Sequence, residues 1–156
     1  MTRNNQVMLD LSGLEELKNS LPKDIAVKVG VLSDGNSREG GAVGNAELGL
    51  IQELGSFSRN IPARSWLMMP LTERKAEIVK FLQSKKAKEL VESMEFDRLL
   101  ELMGLKAEGI IDKAFTSSGF GKWQPNSPAT VRRKGSSRPL IDTSELRRSV
   151  SSELDK

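Results

Sequence analysis

Cysteine, histidine and tyrosine are all absent from this 156-residue chain. Without cysteine there is no disulfide, no thiolate nucleophile and no thiolate ligand for a metal. Without histidine, the commonest general base near neutral pH and the commonest metal ligand are missing too. An enzyme would have to run on Asp, Glu, Lys and Ser. No pairing of these stands out: Ser136, Ser137 and Lys134 lie together, but in a Gly-Ser context. The expectation is therefore no catalytic residue, no metal ligand and no cofactor. Long apolar runs are also missing. None reaches the roughly 20 residues of a membrane-spanning helix, and the start, MTRNNQVMLDL, lacks a signal peptide's apolar stretch. This predicts a protein made in the cytoplasm with no membrane contact.

What is present is unevenly placed. Apolar residues make up 37% of the chain and charged residues 29%, which suits one domain over 1–156 with a modest core and surface left for partners. Three of the six prolines fall at Pro125, Pro128 and Pro139, in a stretch that also holds Gly119, Gly121 and Gly135. Such punctuation excludes a continuous helix or a central strand and predicts a long ordered loop over 119–141. The same stretch gathers charge. Residues 119–149 carry seven basic and two acidic side chains, a net +5, whereas the whole chain is only +3, so the remainder sums to −2. The basic sequence pI near 9.3 is thus a local feature.

Along the chain, Ser12-Gly13-Leu14-Glu15 fits a capping box, and Leu11, Leu14, Leu17 and Leu21 predict a helix over about 13–20. Ile25, Val27, Val29 and Val31 alternate with Ala26, Lys28 and Gly30, a half-buried strand. Residues 33–45 are rich in Gly and charge; no G-K-[ST] follows, so the phosphate-cradling pattern fails. Asn45 is a good N-cap for a helix over about 46–54, and Gly55 a natural residue to follow its end. In 55–71, Phe57, Ile61, Trp66, Leu67 and Met68 are expected in the core, with some facing a partner as the alternative. Residues 72–93 read as helical. A longer helix over about 96–117 carries Phe96, Leu100, Met103, Ala107, Ile111 and Phe115 on one face. Gly104 and Gly109 weaken it unless they admit a close neighbour. Asp142 and Thr143 are expected to cap a short helical turn, and a last strand over 149–154 to pair with 25–32. The fold class predicted is α+β: a small antiparallel sheet packed against long α-helices, presenting the basic loop.

Two segments resemble a known family. The first is NAELGLIQELGSFSRNIPARSWL, residues 45–67; the second is KWQPNSPATVRRKGSSRPLIDTSELRRS, residues 122–149. Together they resemble the small phage tail-completion or neck proteins, the group of the minor tail protein Z type and the virion-morphogenesis proteins of Mu-like phages. In that pattern a helix ending in Gly leads to an I-P-A-R turn and an aromatic. Here these are Gly55, Ile61, Pro62, Ala63, Arg64 and Trp66. A W-x-P-x-x-x-x-T segment then runs through K-G to P-L-I-D-T-G-x-L-R. Trp123, Pro125, Thr130, Lys134, Gly135, Pro139, Leu140, Ile141, Asp142, Thr143, Leu146 and Arg147 fill it. Ser144 stands where the pattern usually has Gly, which implies either no positive φ there or a positive φ taken at some cost.

The resemblance implies a non-enzymatic virion component. It would be a homo-oligomeric ring, six-fold by analogy with tails, that completes the tail and joins it to the head connector. Its partners would be head-completion or connector proteins and a tail terminator or tail tube protein, with genomic DNA passing through the lumen. Trp123 and Leu140 are the expected partner anchors, with Trp123→Ala costing incorporation more than stability. Arg132, Arg133, Lys134 and Arg138 would face an acidic surface or DNA. Gly55, Pro62, Arg64, Trp66, Asp142 and Thr143 would be structural, with Arg64 pairing an acid such as Glu53. The alternative reading is a nucleic-acid-binding module built on the basic loop. Its weakness is that one nearby tryptophan makes no stacking platform.

Overall fold

The computed structural model describes residues 25–32, 36, 43–140 and 144–155. The helix expected over 13–20 and the caps Asp142 and Thr143 lie outside the described residues. Strand β1 (Ala26–Val31) pairs antiparallel with β2 (Val150–Asp155), in a register from Ala26 opposite Asp155 to Val31 opposite Val150. This is the pairing of the two ends expected from their alternation. Helices α1 (Asn45–Leu54), α2 (Met68–Glu73), α3 (Lys75–Leu82), α4 (Lys85–Glu92) and α5 (Phe96–Thr116) lie between the strands. They are followed by α6 (Pro128–Lys134) and α7 (Glu145–Arg148). The architecture is α+β, a two-stranded antiparallel sheet against helices.

Helix α5 organises the packing. Its 21 residues span about 30 Å at 1.5 Å per residue, and one face buries Phe96, Gly104, Ala107, Ile110, Ile111, Ala114 and Phe115. Both strands lie across it. Gly104 makes that approach possible, because a Cβ there would collide with Ser152 Oγ and crowd Val27. Gly109, on the outer side, meets nothing within 4 Å and has no such reason. The main core cluster joins Trp66, Ile111, Ala114, Phe115, Trp123 and Leu146, with Val29, Val31 and Leu140 packed around it.

The helical stretch 72–93 is three helices rather than one. It is interrupted at Arg74, whose φ of −106° departs from helix geometry, and at Gln83-Ser84. Ser84 caps α4 by accepting from Ala87 N–H at 3.3 Å, a local bond that competes with helix continuation. The loop expected over 119–141 also needs correction, because it contains α6. The residues read as breakers are its delimiters. Ser127 is the N-cap, its Oγ accepting from Thr130 N–H at 3.2 Å, and Pro128 occupies the first turn. Gly135 closes the helix in the left-handed region at φ 66°. Arg132, Arg133 and Lys134 fill the last turn, where the helix dipole favours cations.

Candidate assembly interface

The two motif-bearing segments meet in space, and Arg64 is the joint. The residue is only 7% exposed. Nε donates to the Gln124 carbonyl at 2.7 Å, and a terminal nitrogen donates to the Pro125 carbonyl at 3.2 Å and to Asn126 Oδ1 at 3.4 Å. Burial pushes the Arg64 pKa below its usual value. The carbonyl fork replaces the lost hydration, which only a planar multi-donor group does well. The expected pairing with Glu53 is not made. Glu53 instead receives the Ser65 hydroxyl at 2.5 Å and the backbone N–H groups of Trp66, Leu67 and Met68 at 2.7, 2.9 and 3.1 Å. It thereby satisfies N–H groups at the start of α2, where no intrahelical acceptor exists.

The two tryptophans complete the joint. Trp66 is buried and donates from Nε1 to the Gly49 carbonyl at 2.8 Å. Trp123 donates from Nε1 to the Ser65 carbonyl at 2.9 Å. Phe115 sits between them, with ring centroids 5.9 Å from Trp66 and 5.7 Å from Trp123. Trp123 is 6% exposed and belongs to the core, so it is not a partner anchor. The reason is local. Gly119, at φ 66°, lies so close to the indole that any Cβ would overlap it, and the chain folds back over α5. Leu140 is half-buried against the same core, at φ 60°.

Gly49, Glu53 and Asn126 are site residues that the motifs did not flag. Gly49 had a signal, since a glycine inside a helix calls for a packing reason; here a Cβ would come 2.9 Å from Trp66 Cζ2. Asn126 ties the joint to the far side of α6, donating from Nδ2 to the Arg138 carbonyl at 3.1 Å. Gly55 behaves as expected: it takes φ 75°, and a Cβ would strike Ala63 N at 2.7 Å. Pro62 lies in the extended segment that follows the Ser56–Ile61 bridge. Ser144 has φ 62°, so the position where the family pattern has Gly does adopt the left-handed conformation. Arg147 clasps Asp112 on α5 with two bonds, Nε at 2.6 Å and a terminal nitrogen at 3.0 Å, and this partner pushes its pKa up.

Around the joint runs an open cleft of about 590 Å³. Ile61, Pro62, Leu140 and Leu146 contribute apolar lining, and Phe57, Arg133 and Lys134 stand at its walls. Phe57, expected in the core, is fully exposed on the turn between Ser56 and Ile61, and Met68 is exposed as well. The turn's two backbone bonds, both 2.8 Å, are closed without any help from the Phe57 side chain. Lys122, counted with the basic stretch, pairs with Glu73 at 2.7 Å. Arg132, Arg133 and Arg138 form no ion pair among the described residues.

Among the described residues, no group of three or more Asp or Glu side chains is arranged to hold a metal, and no helix is long and apolar enough to cross a membrane. Comparison with protein-family models, with curated proteins and with solved structures gives no match.

Proposed function

We propose that this protein is a structural component of a phage neck, assembling as a ring that completes the tail and joins it to the head connector. The observation that carries the reading is the clasp of Arg64, from the I-P-A-R segment, on the carbonyls of Gln124 and Pro125 in the W-x-P segment. Two segments 60 residues apart resemble one family pattern, and a reason for them to occur together is that each completes the other's hydrogen bonds. The left-handed Ser144, at the pattern's Gly position, supports the same reading. The work of such a protein is contact, not turnover. A rigid joint holds a short cationic helix and an exposed aromatic turn where neighbours reach them. Head-completion proteins and the tail terminator or tail tube are the expected partners.

The test is genetic. A stop codon in this gene, within the phage genome encoding it, should leave filled heads and separate tails, seen by electron microscopy. Normal yields of joined, infectious particles would end the reading.

A further inference from the structure

The charge of this molecule is divided between the two ends of α5. Residues 89–97, around the turn that leads into α5, hold Glu89, Glu92, Glu95 and Asp97 and no basic residue. At that turn Met94 is 52% exposed, at φ 58°. Beyond the other end of α5, residues 122–140 hold five basic residues and no acid. Among the described residues Arg132, Arg133 and Arg138 there lack a carboxylate partner, and the adjoining cleft includes the exposed Phe57 beside Ile61 and Pro62. One end is thus an exposed methionine between carboxylates; the other is a cleft of mixed lining with Arg133 and Lys134 in its wall and Arg132 exposed on the same short helix. Glu89 pairs with Lys85, but about 30 Å of helix keeps Glu92 and Glu95 apart from Arg132 and Arg133 within one molecule.

We infer that the α4–α5 turn of one copy, with Met94 between Glu92 and Glu95, docks in the α1–α6 cleft of a second copy against Arg132 and Arg133. The contact is head-to-tail, uses two different surfaces and leaves one of each open at the ends of a dimer. It therefore propagates, and closes into a ring when the rotation per subunit permits. Opposed charges set the orientation, and the exposed Met94 and Phe57 supply apolar area to remove from water. DNA is the weaker occupant, because Trp123 is buried and Phe57, a single exposed ring, makes no stacking platform. The inference specifies the subunit contact of the assembly reading and rests on it. Its readout is oligomeric state in solution, whereas the assembly reading is tested by particle yield, so either can fail alone.

The experiment is sedimentation equilibrium of the purified full chain over a concentration series at low and high salt. Wild type should associate, more weakly as salt screens the charges. Two double variants, Arg132→Glu with Arg133→Glu and Glu92→Lys with Glu95→Lys, should each weaken association by roughly tenfold or more. Mixing the two should recover a complex containing both, because each supplies the surface the other has lost; that recovery also shows both are folded. A wild type that stays monomeric throughout overturns the inference. So does association indifferent to either pair of changes. Loss of duplex-DNA binding by the arginine variant, with its self-association intact, would assign these arginines to nucleic acid and overturn it as well.

Discussion

In residues 119–126, Gly119 lies against the indole of Trp123, Trp123 reaches Ser65, and Arg64 clasps Gln124, Pro125 and Asn126. In residues 128–138, a seven-residue helix carries Arg132 and Arg133 into solvent, and Arg138 follows, all three without a carboxylate among the described residues. The segments adjoin in sequence and share the same Gly and Pro punctuation, yet one closes the core and the other is displayed by it. Composition does not separate them. What does is whether the backbone polar groups find partners inside the molecule. Where they do, side chains are fixed and substitution costs stability; where charged side chains remain unpartnered, substitution should cost contacts with other molecules instead.

The largest effect should come from Trp123→Ala. Truncating this buried ring against Phe115 should destabilise the monomer by about 3–5 kcal/mol in chemical denaturation. Full stability together with selective loss of incorporation would return Trp123 to the displayed set. Arg64→Ala should come next, at about 2–4 kcal/mol, since it leaves two partly buried carbonyls unsatisfied. Arg64→Lys should recover less than half of that, because an ammonium lacks the planar fork; equal stability of Lys and Arg would reduce the clasp to a simple charge. Ser144→Gly should raise stability by about 1 kcal/mol, the strain of a left-handed non-glycine residue. Arg132→Ala with Arg133→Ala should move the unfolding midpoint by less than about 0.5 kcal/mol, and a larger loss would place α6 in the stability-bearing set.

The smallest effect is electrostatic. Hydrogen bonding to Lys122, helped by its charge, holds the Glu73 carboxyl below its ordinary value. A carboxyl with a depressed folded-state pKa stabilises above its unfolded value, and that contribution fades as pH falls through the folded value. The stability gap between wild type and Lys122→Met should therefore be present at neutral pH and shrink on acidification. A gap that is flat with pH would mean the exposed pair contributes nothing.

Several elements were legible because their signals are local. The Val27-Val29-Val31 alternation, the apolar stripe of α5 and Gly55 at the end of α1 each follow from side-chain period or from sterics within a few residues. Helix α6 was hidden for the opposite reason. Pro128 and Gly135 are breakers inside a helix but start and stop signals at its ends, and telling these apart requires knowing where the helix begins. The break at Arg74 was hidden too, since no proline or glycine marks it; its guanidinium sits 4.4 Å above the Phe120 ring.

The amino-acid sequence alone determined the chemistry this protein can draw on, the location of its charge and the α+β class, because inventory and short-range periodicity do not depend on what packs where. It did not determine which partners its polar groups take. Arg64 and Glu53 look like an ion pair on paper, but each takes backbone groups instead, and an unsatisfied buried carbonyl or N–H costs more than an exposed ion pair returns. The same accounting drew Trp123 inward, where its Nε1 meets the Ser65 carbonyl. Only the tertiary structure decided which side chains were consumed by folding and which were left for other molecules.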